Sequence, residues 1–374
     1  MNLDDIKLCS VKYQMKVFTI DAGGTTLDVP ISQIAIMKWE KNFDTSIYPF
    51  IYIGVNLPGW FYQEVVKNYD NIHITMDLHS MVYRKDFDES MNNPTTKSEC
   101  KGKFLADVAI DTPITTEDQQ KMFEQETGVG AYKKSYTFNE YYFTEFTIQN
   151  EAAYKAKSKV VNAVLSSTNM TTNIGYICSQ CGINNILMSP LSNRRTYKEF
   201  KIPPINAVDQ IKNWIVNYKL HDKGTTLFFD LDRTYILNKK IECSAWRKNE
   251  YKNVHILSPN QYSNSLASGS GFFANSKEKY YVIEIPPNSM QTATITNLPY
   301  NVQNGRMNQT IMFYTNDATL ESLTPNKLFI VDVQSSSAKK RINGKYRMMR
   351  YSVEFEPGGD FFNAKFNITL GKDQ

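Results

Sequence analysis

The sequence predicts a mainly β fold with an α+β middle domain: two antiparallel β-barrel domains and a peripheral mixed one. Three observations carry that expectation. The 374 residues include 23 Tyr and 21 Phe, which with Thr, Ile and Val suit a pleated, half-buried surface. Apolar and polar residues alternate strictly toward both ends of the chain, the period of a strand. Between Glu151 and Tyr218 the apolar spacing becomes helical instead. A chain of this length also exceeds one ordinary core, so several domains are expected.

Taken in order, Ile31 to Trp39 reads as a strand, and Ile51, Ile53, Val55 and Leu57 alternate with Tyr52, Gly54 and Asn56. After the Asp70-Asn71 turn signal, Ile72, Ile74, Met76 and Leu78 face one way and His73, Thr75, Asp77 and His79 the other. These strands place a first barrel in residues 1–135. Its second half, 86–135, reads as an irregular insertion with one apolar island, Phe104 to Ile110, and a short helix from Thr116 to Glu126 capped by Thr115 or Thr116.

In the middle domain, 136–242, Ala152, Ala156, Val160, Ala163 and Val164 make one helical stripe. A second helix, capped by Thr172, carries Ile174, Ile177, Cys178 and Cys181 on one face and stops at Gly182. Pro203 and Pro204 announce a third, with Val208, Ile211, Trp214, Ile215 and Tyr218. Leu227 to Phe229 and Thr234 to Leu237 read as strands. In 243–374 alternation returns after a Ser-, Asn- and Gly-rich loop over 258–279. Tyr281, Ile283 and Ile285 begin it, Tyr351, Val353 and Phe355 continue it, and Phe362, Ala364, Phe366, Ile368 and Leu370 close a second barrel. No short repeat is present, which argues against a solenoid or propeller.

Charge and cysteine content narrow the function classes. Forty-two basic and 38 acidic residues leave +4 with no long basic block, so specific nucleic-acid recognition is not expected. No window approaches about eighteen consecutive apolar residues, and Asp4, Asp5, Lys7, Lys12 and Lys16 crowd the N-terminus. Neither membrane insertion nor a secretory signal is therefore expected. The scattered cysteines Cys9, Cys100, Cys178, Cys181 and Cys243 do not make a disulfide framework, which places synthesis in a reducing cytoplasm.

Several segments have the look of catalysis. Phe18 to Asp28, with Asp21, Gly23, Gly24, Thr25 and Thr26, has the form of an actin-like ATPase phosphate loop, in which Gly and Thr bring backbone to phosphates and Asp organises Mg²⁺. A second such loop is missing downstream, and Asp-Ala-Gly-Gly between β-prone runs is ordinary hairpin chemistry. Leu227 to Thr234 fits the first motif of haloacid-dehalogenase-like Mg-dependent phosphatases, with Asp230 as nucleophile and Asp232 as acid/base. That fold needs a doubly wound α/β sheet, whereas strand periodicity follows here. Cys178-Ser-Gln-Cys181 has metal spacing without a second ligand pair, so packing is expected. His73 and Asp77 lie roughly 13 Å apart along one strand and cannot close on one ion with His79. Ser268-Gly269-Ser270-Gly271 reads as loop, not as a nucleophile elbow.

A different likeness spans most of the chain. Ile31 to Trp39, Tyr48-Pro49-Phe50 leading into Ile51 to Leu57, and Lys67-Asn68-Tyr69-Asp70 before the Ile72 strand resemble the first barrel of baseplate hub proteins of contractile-tailed bacteriophages and related injection systems. Val161-Asn162, Ile183 to Met188, Asn193 to Tyr197, Ile202-Pro203-Pro204 and the strand of Phe228, Phe229, Asp230, Asp232, Tyr235 and Leu237 follow in the same order. The resemblance implies a structural, non-enzymatic virion protein of the tail baseplate. Its implied assembly is a homotrimeric ring joining a sixfold tail tube protein to a threefold central spike protein among other baseplate proteins. It implies no cofactor, no metal and no catalytic residues.

Overall fold

The computed structural model describes residues 8–85, 94–109, 141–222, 224–239, 251–257, 280–284, 293–297, 309–316, 318–325, 327–333 and 344–372. Strands dominate. β1 (Leu8–Ala22), β2 (Thr25–Asp28), β3 (Ile34–Asn42) and β4 (Phe50–Pro58) are followed by helix α1 (Gly59–Lys67), then β5 (Ile72–Lys85), β6 (Thr95–Ala109) and β7 (Tyr141–Gln149). The last two strands, β18 (Gly344–Gly358) and β19 (Phe361–Lys372), form a long hairpin. Eight of these strands close a ring in the order β18-β3-β4-β7-β6-β5-β1-β19, every neighbour antiparallel.

Alternation dictates the interior. Ile51, Ile53, Val55 and Leu57, and Ile72, Ile74, Met76 and Leu78, are all fully buried, as their spacing predicts. Tyr13, Trp39 and Phe355 meet edge to face at 5.1 and 5.5 Å in the middle of the barrel. Bulges between Met15 and Val17 and between Leu78 and His79 keep the inward set inward along the long strands. The glycine-rich motif after Asp21 is the two-residue β1–β2 hairpin turn: Gly23 and Gly24 have φ of 60° and 98°, and the Asp21 carboxylate accepts the Gly24 N–H at 2.9 Å. It is turn chemistry, with no phosphate loop behind it.

The barrel does not end at residue 135. It also takes β7 and, from the far end of the chain, β18 and β19, because alternating apolar faces at both termini need each other to close. The hairpin is shared. Its turn-proximal half pairs with β3 and β1, and its distal half carries β17 (Leu328–Val333) and β16 (Gln309–Thr315). β13 (Tyr251–Leu257) and β14 (Tyr280–Glu284) continue from β17 in parallel, and β15 (Ala293–Asn297) pairs with β16. The two β regions are thus joined through one hairpin. Among the described residues the second sheet is open between β14 and β15.

The middle of the chain is α+β, with several local corrections. The stripe from Ala152 to Val164 splits into α2 (Glu151–Ser158) and β8 (Val160–Asn169): the alanines favour helix, while Val160, Val161 and Val164 favour strand. Helix α3 (Met170–Gln180) is capped by Asn169, which accepts the Thr172 N–H at 3.0 Å; Thr172 is not the cap. Gly182, at φ 80°, ends it as expected, with Ile183 N–H returning to Cys178 O. Pro203 and Pro204 lie in β10 (Thr196–Asn206), at the irregularity in its pairing with β8, where a missing N–H is tolerated. The following helix α4 (Ala207–Asn217) starts instead at Asn206, which accepts the Asp209 N–H at 2.8 Å. Strand β9 (Ile186–Met188) runs parallel to β12 (Thr234–Asn238), itself the hairpin partner of β11 (Thr225–Phe229). The Phe104 island belongs to β6. The helix expected over Thr116 to Glu126 and the loop over 258–279 lie outside the described residues.

Candidate functional site

The β11–β12 hairpin is buried on both faces. Phe228 and Tyr235 point into the barrel core, whereas Leu227, Phe229 and Ile236 join a second core with α2, α3 and α4. A strand covered on both sides reads as a continuous apolar run, which is why this stretch looks like the inner strand of an α/β enzyme. Phe228 meets Phe43 edge to face at 4.7 Å, and Phe229 stacks on Tyr48 at 5.4 Å.

Asp230 terminates β11 at this junction. Its carboxylate receives the Lys41 ammonium at 2.7 and 2.8 Å and the Leu231 N–H at 2.8 Å, with both charged side chains less than a tenth exposed. Lys41 follows Met37 and Trp39 on the inward side of β3, and its ammonium lies 5.5 Å from the Trp39 ring and 5.9 Å from the Tyr351 ring. Burial works against this ammonium, but Asp230 outweighs it and holds Lys41 above the ordinary lysine range. Burial pushes Tyr235, Tyr351 and the Cys100 thiol up as well. Asn150 and Asn185 donate to the carbonyls of Leu231 and Asp232 at 2.6 and 2.9 Å, fixing the turn.

This geometry does not support the phosphatase reading. Asp230 is neutralised by a lysine and caps its own turn, Asp232 is exposed, and the strand belongs to a hairpin, not to a doubly wound sheet. A polar cavity of about 270 Å³ lies over the pair, lined by Trp39, Glu99, Asp232, Arg233 and Glu321 among others. It is where the barrel, the hairpin and the Leu320–Leu323 turn meet.

Elsewhere, the structure brings Asp77 and His79 together at 2.7 Å, with Lys101 at 3.1 Å and Ser98 at 3.2 Å, across the bulge in β5 and β6. His73 stays apart, opposite Asp21 and Leu105. Cys178 and Cys181 are buried in the second core, and burial lifts the Cys178 thiol to about 12. Among the described residues no three His, Cys, Asp or Glu side chains gather to hold a metal ion. No helix among them is long and apolar enough to cross a membrane. Cys243 and Ser268 to Gly271 lie outside the described residues.

Two arrangements were not anticipated from sequence. Lys41 had a signal: a lysine at an inward strand position requires a buried acid. Ser189, His221 and Thr225 had none. His221 sits between their hydroxyls, each 2.9 Å from a ring nitrogen, and Ser189 accepts the Asn238 N–H at 2.7 Å. Both ring nitrogens are thus held by hydroxyls, a satisfied latch with His221 buried.

No curated protein matches the chain in sequence. Among solved structures, similar ones include the prophage MuSo2 43 kDa tail protein from Shewanella oneidensis, with 8% identity over 96% of this chain and 97% of that one at a TM-score of 0.45. A tail protein from Neisseria meningitidis MC58 gives 6% over 96% and 97%, at 0.43. The half-lidded Francisella PdpA-VgrG complex gives 7% at 0.44, covering 97% of this chain and 58% of that one. In sequence, the family described as Bacteriophage PBS1 gene 109 protein matches residues 3–280. With well over half of its length matched, the chain belongs to the Bacteriophage PBS1 gene 109 protein family.

Proposed function

We propose that the chain is a structural, non-enzymatic component of a phage tail, the baseplate hub that joins a sixfold tail tube to a threefold central spike as a homotrimeric ring in the virion. The observation that carries this reading is the closed antiparallel barrel whose β18–β19 hairpin continues into a second sheet. One chain then contributes two linked β units, and three chains contribute six, which reconciles the two symmetries through one closed interface type. Membership in a phage protein family supports it. The residues with the look of catalysis are occupied structurally: Asp230 by Lys41, and Asp21 by Gly24 and Lys103.

Light scattering and negative-stain imaging of the full chain, alone and with tube and spike proteins, test the proposal. The expected result is a particle of three 43.1 kDa chains with a ring outline and threefold axis. Particles of any other symmetry would refute it. Release of phosphate from an aryl phosphate with Mg²⁺, abolished in a folded Asp230→Asn variant, would refute the structural role.

A further inference from the structure

Two walls of the barrel differ sharply. On the wall of β3, β4 and β7, Phe50 and Phe143 stand about half exposed, and Tyr141, Trp60 and Tyr69 extend the patch over the end of β7 and past α1. The Phe143 ring lies over Gly54 beside Ile36; a Cβ there would meet the two side chains at 2.6 and 2.7 Å, so the glycine lets the ring lie against the sheet. The charges on this wall are Glu40, Glu145 and, on adjoining β18, Glu354, against Lys38 and Arg350, a balance that stays negative. Across the barrel, the wall of β6, β5 and β1 carries Lys12, Lys16, Lys97, Lys101 and Lys103 against Asp21, Asp77 and Asp107. Val17 is the exposed large apolar residue there among the described residues.

In a ring each chain meets two neighbours. The β18–β19 side of the barrel is taken by the chain's own second sheet, so the other contact falls on a wall away from the hairpin. β4 and β5 are each the second strand from it, in opposite directions, so topology does not choose between the walls. Chemistry does. Residues 243–343 contain ten Lys or Arg and six Asp or Glu, which accounts for the whole +4 excess of the chain. That region is attracted by the acidic wall and repelled by the lysine-rich one. Exposed aromatics clustered on one wall are also what an interface core uses.

We infer that the β3–β4–β7 wall is the docking surface for a second copy of this chain, which presents its basic 243–343 region in a heterologous contact. The inference rests on the ring reading above. Its test uses the full chain: sedimentation velocity over a concentration series at low and high salt, with carbodiimide cross-linking in a mixture of isotopically labelled and unlabelled chains. Glu40 or Glu145 should link to lysines of 243–343 on the other isotopic copy, and salt should weaken association. Phe143→Lys and Phe50→Lys should each weaken it at least about tenfold while leaving the melting transition in place. If Phe143→Lys unfolds because its ring covers Gly54, Phe50→Lys and Trp60→Lys carry the test. A trimer that forms undiminished in these variants, or links that run from Lys101 and Lys103, would overturn the contact and leave the ring standing. A chain that stays monomeric throughout overturns the ring, and this contact with it.

Discussion

Replacing Lys41 by Met tests the junction between the barrel and the hairpin. The substitution keeps an unbranched side chain one atom shorter and removes its charge, leaving Asp230 6% exposed with the Leu231 N–H as its remaining hydrogen bond. Stripping one partner from a buried pair costs about 3–5 kcal/mol, because the survivor stays desolvated without compensation. Asp230→Leu leaves the ammonium instead, partly offset by the Trp39 and Tyr351 rings, and also frees the Leu231 N–H. Making both changes removes both charges and fills the space with apolar atoms. The double variant should therefore lie within about 1–2 kcal/mol of the parent. Urea unfolding of the four proteins, followed by tryptophan fluorescence, measures the cycle; the coupling should exceed about 2 kcal/mol. A single-variant cost below about 1 kcal/mol, or simple additivity, would show that the pair is solvated and does not hold the hairpin to the barrel.

Other outcomes follow from packing, backbone and charge. Ile211→Ala, in the second core at 1% exposure, should cost about 2–4 kcal/mol, and Ile215→Ala, half-buried at its edge, roughly half as much; thermal melts that rank them the other way would move the apolar stripe of α4. Gly23→Ala should destabilise by about 1–3 kcal/mol, since φ is +60° and the new Cβ would meet the Asn68 side chain at 2.2 Å; an unchanged melt would mean the turn relaxes freely. Burial opposes ionisation of Asp77, but Lys101 and His79 outweigh it and hold the carboxyl below its ordinary value of 3.8. Its contribution is then present above that value and lost as pH falls through the lowered folded one. Asp77→Asn should flatten the acid limb of stability against pH, and an acid limb identical to the parent would refute the assignment.

What the sequence by itself determined is what a strand or helix decides locally. Period-two spacing at Ile51 to Leu57, Ile72 to Leu78 and Phe362 to Leu370 names the buried face of each strand, because alternate side chains must point to opposite sides. Gly182 and the α4 stripe were legible for the same reason. Cap identity was less so: Asn169 and Asn206 compete with nearby Thr and Pro signals, and only the backbone angle entering each helix separates them. The tertiary structure alone decided which strands pair. Phe362 closes on Tyr13, and Lys41 finds Asp230 across 189 positions of sequence. An alternating strand specifies that it needs a neighbour without specifying which one, so the pairing of both chain ends into one barrel had no local signature. The same holds for Asp230 and Asp232. Their spacing on a strand is compatible with phosphate chemistry, and the lysine arriving from β3 is what gives Asp230 a structural part.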